Sequence, residues 1–294
     1  MAKSRLAEFV SDDIENQKGV AVPVSAGLLE RLFVRSTKCS NLHPNPEDEF
    51  SMDSVGPSYG IIGDYEKKFR DAMNLNMRVF DDPLIVEKLR PQGYLLLNGH
   101  HRWAAAMRCN IKRVPIKIVN CTTEYIIRSV LERSTHNKRV TIDLEEVIFR
   151  PEDYPYLEKK AFIFPFSLRF KHRIRMGIPA FLFFLEKHGY DIWVYAADYY
   201  SIDDICKFFK AYSVNVDVVI TGVSKRRQNK TESEIRMDQL IANKYSTTLH
   251  IDNETILETH GKSGEFFEHA IDSSEEDWSK KAIAIVEEIE KRAN

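Results

Sequence analysis

The stretch Leu96-Leu97-Asn98-Gly99-His100-His101-Arg102-Trp103-Ala104-Ala105-Ala106 holds the end of an apolar strand, a glycine turn, a polar cluster and a helix start. That order requires a sheet that feeds directly into a helix. Asp82-Pro83-Leu84-Ile85-Val86 reads as a strand upstream, Tyr94 to Leu97 as the strand entering the turn, and Val114 to Val119 as a third strand. Gly99 can take a positive φ and lets a ligand approach the main chain. The free N–H groups at the start of the following helix favour negative charge, so phosphate is the simplest ligand. For Arg102 the residues leave open an anion contact or a structural ion pair. His100 and His101 are open in the same way, although adjacent histidines diverge at a helix start and do not converge on one metal ion.

Strand, then Asn-Gly-His-His-Arg-Trp-Ala-Ala-Ala, then a Val-Pro-Ile strand resembles the ParB/sulfiredoxin superfamily over roughly residues 20–134. His43-Pro44-Asn45-Pro46-Glu47-Asp48 is similar to the Asn-Pro segment that often precedes the first helix of that domain. The resemblance implies a small α+β domain whose Gly-x-x-Arg turn contacts nucleotide phosphates. Asn98, Gly99, His100, His101 and Arg102 would form the site, with ATP or another nucleotide as ligand. Related members are phosphotransferases or nucleases. Sulfiredoxin chemistry is not expected, because that branch carries a cysteine just before its His-Arg pair and this chain has Gly99, His100 and His101 there. ParB partition proteins continue into a helix-turn-helix DNA reader, whereas this chain continues into something different.

With 294 residues, two domains are expected, divided at a hinge over Ser134–Lys138 into spans 20–134 and 138–294. A net charge of −2 supplies no global basic field for nucleic acid. Cys39, Cys109, Cys121 and Cys206 are widely spaced, which favours reduced thiols in a cytoplasmic protein. Met1 to Glu8 lacks the apolar core of a signal peptide, and no apolar run is long enough to span a bilayer. Residues 1 to about 20 read as a frayed or partner-covered lead helix, 37–63 as a long irregular loop, 65–74 as a helix, and 125–132 as the helix closing the first domain.

The second half alternates: strand 139–147, helix 179–188, strand 190–195, helix 201–211, strand 216–221, helix 232–245, strand 248–251 and a terminal amphipathic helix 278–292. Strands separated by helices imply a mainly parallel, Rossmann-like sheet, with ligands gathering beyond the carboxyl ends of the strands. Acids stand there. Asp143 and Glu145, two apart on an extended segment, can share a side, and Asp252 follows the last strand. Three such carboxylates would repel without a cation between them, and oxygen ligands suit magnesium. Acids after strands also cap turns as a matter of routine.

Asp143, Glu145 and Val147 resemble the first motif of the haloacid dehalogenase superfamily, over roughly residues 138–294. The resemblance implies Asp143 as nucleophile forming an aspartyl-phosphate, Glu145 as acid/base, Lys230 (alternatively Lys225) as the lysine motif, and Mg2+ on Asp143 and Asp252. It departs from the family at Glu145, one methylene longer than usual, and at Ala196-Ala197, where a hydroxyl is expected. Phe162-Ile163-Phe164-Pro165-Phe166 and Arg169–Arg173 stand where a cap would be inserted, and also fit an apolar packing segment. Lys225-Arg226-Arg227 fits a phosphate-backbone contact or a solvated loop, and Tyr199-Tyr200 a base stack or a buried rim.

The main expectation is therefore an α/β protein in two parts that handles phosphate. A nucleotide- or phospholigand-binding ParB-like module precedes a Mg-dependent phosphohydrolase acting on a phosphorylated small molecule or nucleotide. The alternative is a nucleic-acid-associated binding or regulatory protein whose second domain no longer turns over. A second alternative is an ATP-dependent phosphotransferase in which Glu47 or Asp48 activates a hydroxyl.

Overall fold

The computed structural model describes residues 5–159, 161, 172–223, 232–261, 264–272, 274 and 276–293. It is a mixed α/β chain in two compact units, Met1–Cys121 and Thr122–Asn294. Among the described residues, no helix is long and apolar enough to cross a membrane.

The first unit runs α1 (Arg5–Gln17), β1 (Val22–Pro23), α2 (Leu28–Phe33), β2 (Ser36–Lys38), β3 (Leu42–Pro44), α3 (Tyr59–Asn74), β4 (Leu84–Arg90), β5 (Tyr94–Asn98), α4 (His100–Arg108) and β6 (Arg113–Ile118). Its sheet has the order β2-β6-β4-β5-β3, with β1 pairing on β4. β5 lies antiparallel to β4 and parallel to β3, while β4 and β6 are parallel. The alternation in β4 and β6 buries Leu84, Val86, Val114, Ile116 and Ile118 on one core. Ala104, Ala105 and Ala106, each fully buried, are the small residues of the buried part of α4. Trp103 is buried beside them and donates its indole N–H to the Cys39 carbonyl at 3.2 Å. The lead segment is part of this unit: Val10 is core, Leu6 and Ile14 pack against it, and Phe9 meets Trp103 at 6.3 Å. Within the span expected as irregular, β2 and β3 add sheet edges, and only 45–58 lacks regular structure.

The second unit runs α5 (Glu124–Arg133), β7 (Lys138–Asp143), a π-helical turn at Leu144–Ile148, β8 (Phe149–Arg150), β9 (Arg173–Ile174), α6 (Ile178–Lys187), β10 (Tyr190–Ala196), α7 (Ile202–Ala211), β11 (Val218–Thr221), α8 (Glu232–Lys244), β12 (Thr247–Ile251), β13 (Thr255–His260), β14 (Phe266–Ala270) and α9 (Trp278–Ala293). The sheet order is β11-β10-β7-β12-β13-β14. β11, β10, β7 and β12 are parallel, as the alternating pattern requires. β13 and β14 extend the sheet antiparallel and were not expected. The two faces of β7 differ in kind. Val140 and Ile142 enter the main core with residues of α6, α7 and α9, whereas Arg139 and Thr141 are buried on the opposite face.

α5 was expected to close the first domain. Instead Ile127, Val130 and Leu131 pack on Trp193, Val218, Met237, Ile241 and Tyr245 of the second unit, so the expected hinge at 134–138 lies inside that unit. Leu131→Ala should cost about 1–2 kcal/mol, as expected for a half-buried leucine. Hydrogen exchange should rise in peptides covering 190–196 and 237–245 and stay unchanged in those covering 84–118.

Candidate functional site

The turn between β5 and α4 is built on Gly99, whose φ of 99° and ψ of 24° put it in the left-handed region at the helix N-cap. A Cβ there would lie 2.6 Å from Leu84 Cδ2 and 2.9 Å from Arg102 Nη2, so both the conformation and the space demand glycine. The first main-chain bond of α4 runs from Trp103 N–H to the Gly99 carbonyl. The amides of His100, His101 and Arg102 therefore precede the helix's own bonding and stand at its positive end. Arg102 folds back over the turn. Its Nη1 donates to the Asp82 carbonyl at 2.8 Å and its Nη2 to Asn98 Oδ1 at 3.2 Å. Asn98 thus orients the guanidinium, whose bonds here go to a carbonyl and an amide oxygen and make neither the anion contact nor the ion pair the sequence left open.

The two histidines hold the loop 45–58. His100 is 3% exposed, and its Nε2 accepts the Asn45 N–H at 3.3 Å. His101 Nε2 accepts the Ser58 N–H at 3.2 Å. Phe50, itself buried, packs its ring 5.4 Å from His100 and 5.1 Å from His101. An imidazole that accepts an N–H must be unprotonated at that nitrogen, so both rings act here as neutral acceptors. Burial pushes both below the ordinary histidine range, His100 from 6.5 to about 4, with Asp48 opposing the shift. Asp48 Oδ1 stands 3.5 Å from His100 Nδ1 and accepts the Phe50 N–H at 2.9 Å. Glu47 donates its N–H to Asn45 Oδ1 at 3.0 Å, closing an Asx turn. What the sequence left open for the histidine rings thus resolves into loop anchoring, while their amides remain at the helix start.

In the second unit the ends of β7, β10 and β12 lie side by side, with Asp143 in register with Tyr195 and Ile142 with Ile251. Asp143 and Asp252 consequently follow neighbouring strands. The strand expected over 139–147 ends at Asp143, and the π-helical turn follows, so Asp143 and Glu145 do not share an extended segment. Asp143 caps that turn, Oδ1 accepting the Glu146 N–H at 2.8 Å. Glu145 reaches across to the end of β10 and accepts the Ala197 and Asp198 N–H groups, each at 3.1 Å. Burial nonetheless raises its pKa above the usual carboxylate range, against those two hydrogen bonds. Asp252 Oδ1 accepts the Asn253 N–H, and Asn253 Oδ1 accepts from Arg150 Nη2 at 3.0 Å and Arg175 Nη1 at 2.8 Å.

Among the described residues, no three His, Cys, Asp or Glu side chains come together as metal ligands. Arg150 and Arg175 are seated on Asn253, the residue after Asp252, and with no such cluster of ligands at these strand ends the described residues do not fit a magnesium site. Lys230, Lys225–Arg227, Phe162–Phe166 and Arg169–Lys171 lie outside the described residues.

Gly99→Ala should destabilise the first unit by about 1–3 kcal/mol, read from urea unfolding, because it combines left-handed strain with a steric overlap. His100 adds a pH dependence. Its folded pKa lies below its unfolded one, so its contribution is complete above pH 6.5 and is lost as the pH falls toward about 4. The unfolding midpoint should drop across that window, and His100→Gln, which keeps an acceptor but does not titrate, should remove part of the drop.

No curated protein matches this chain. One solved structure similar to it is the C-terminally truncated chromosome-partitioning protein ParB from Caulobacter crescentus, complexed with CTP-gamma-S. The identity is 22% and the TM-score 0.25, over 35% of this chain and 55% of that one, so the chain spans little more than half of that relative. Residues 74–135 match the ParB N-terminal domain, a span that contains β4, β5, the Asn98–Arg102 turn, α4, β6 and α5.

Proposed function

We propose that the chain is a nucleotide-binding regulatory protein in which the Asn98–Arg102 turn holds the phosphates of a nucleotide and the second unit does not turn over phosphate esters. The observation that carries this reading is the turn itself. A left-handed glycine leaves the amides of residues 100–102 ahead of the bonding of α4, and Arg102 is anchored at the same turn by Asn98 and the Asp82 carbonyl, within the span that matches a ParB N-terminal domain. Amides and helix dipole favour the anion, and the guanidinium supplies the cation that a planar oxyanion pairs with. Asn45 and Ser58 are tied to the same helix start, so the 45–58 loop borders the ligand and its order is linked to occupancy. Nucleic acid is the further partner class belonging to this reading.

The second unit supports binding over hydrolysis. Acid/base work would require Glu145 to leave the two amides it holds at the end of β10, and the residue after Asp252, Asn253, is taken up by two arginines. Phosphoryl transfer rests on positioning and charge stabilisation, and this arrangement supplies neither for a metal-assisted step.

Thermal unfolding of the full chain with CTP, ATP, GTP and UTP tests the proposal, CTP being included because the similar ParB structure contains its analogue. At least one triphosphate should raise the Tm in a concentration-dependent way. Arg102→Ala should remove the shift while Asp143→Asn keeps it. No shift with any nucleotide, or a full shift in Arg102→Ala, overturns the reading.

A further inference from the structure

One face of the second unit's sheet and α8 line a partly open pocket of about 470 Å³, within the size range of small-molecule sites. None of Asp143, Glu145 or Asp252 lines it. Its position follows from strand register. Arg139 and Thr141 of β7 lie beside Thr248 and His250 of β12, and Thr259 of β13 stands opposite Thr248. Five polar side chains in this register on one face are more than a helix-covered sheet needs for packing.

Arg139 is the centre of the cavity. It is 8% exposed, packs over Trp193 at 4.8 Å and Tyr245 at 5.4 Å, and is hydrogen-bonded to Tyr195. Its Nε has no hydrogen-bond partner among the described residues. A guanidinium this deep is costly to bury and calls for an anion. The nearest acid acting on it, Asp238 of α8, lies exposed on the rim.

The hydroxyls bond within the protein. Thr259 Oγ1 donates to the Thr248 carbonyl at 3.2 Å, so toward His250 Nε2, 3.3 Å away, it can only accept. The proton of His250 is therefore on Nε2. Nδ1 accepts from Thr141 Oγ1 at 2.8 Å, so the hydroxyl protons of Thr141 and Thr259 are both taken by protein acceptors and Arg139 is the charged donor left for an anion. Burial and the neighbouring Arg139 hold His250 below the ordinary histidine value, so it adds no second positive charge. Arg139 is the cation of this lining and Asp238 stands at its mouth, so a second negative charge on a ligand would find no partner and be repelled. Tyr195 and Tyr245 provide aromatic walls, and Gly261 closes one side. A Cβ at Gly261 would lie 2.6 Å from the Tyr245 carbonyl oxygen and 2.7 Å from that of Ala242.

The structure assigns this cavity as a second ligand site, separate from the nucleotide turn, that takes a small organic monocarboxylate with its carboxylate on Arg139 and its apolar body between Tyr195 and Tyr245.

The test is calorimetric titration of the full chain with acetate, isobutyrate, benzoate and 4-hydroxybenzoate, alongside benzyl alcohol and phenyl phosphate. At least one carboxylate should bind saturably at one site, and benzoate should bind more tightly than either matched comparator. Arg139→Gln should weaken binding about tenfold or more. Because that variant removes a buried charge and risks misfolding, Ala242→Phe, which fills the cavity from α8, is the second probe and should abolish binding with the urea midpoint nearly unchanged. Absence of saturable binding by every carboxylate overturns the assignment, as does tighter binding of phenyl phosphate. Full binding by Ala242→Phe does the same.

Discussion

The left-handed conformation of Gly99 is the constraint on which the first unit depends. It allows β5 to turn into α4 within one residue, and that tight turn lets Arg102 reach back to Asn98 and the Asp82 carbonyl. It also aims two imidazoles at the loop that follows β3, where each accepts a main-chain N–H that would otherwise need water. A side chain at this position would strike Leu84 on the strand below and the guanidinium above, so core packing, loop order and the amides at the start of α4 are linked through one backbone torsion.

The second unit depends on the two faces of β7. One face carries Val140 and Ile142 into a closely packed core, and the other carries Arg139 and Thr141 to a pocket under α8. At the carboxyl end of the same strand, the acids serve the local backbone. Asp143 caps the π-helical turn, and Glu145 fills the amides at the end of β10. A carboxylate already seated on two N–H groups occupies the kind of position a phosphate oxygen would seek.

Much of this was legible in the sequence. Period-two burial located β4, β5, β6 and the parallel strands to within a few residues, and the strand-Gly-helix order located the turn. The hairpin of β13 and β14 was missed although Thr255–His260 alternates, because an expectation of helices between strands leaves no place for an antiparallel extension. The π-helical turn at Leu144–Ile148 was missed because its apolar residues continue the pattern of the strand before it. The roles of His100 and His101 depend on Asn45 and Ser58, too far along the chain for any local pattern to report. Arg139 read as the charged start of a strand, and only the register with β12 and the cover of α8 show that it is buried.

The central claim is that phosphate is held by the amides at the start of α4. Amide-resolved NMR during titration of the nucleotide found to stabilise the chain addresses it most directly. The account predicts that the largest shifts fall on Gly99, His100, His101 and Arg102, with smaller ones at Asn45 and Ser58, and none comparable around Asp143 or Asp252. Shifts concentrated at the ends of β7 and β12, with the Gly99–Arg102 amides unmoved, would contradict it.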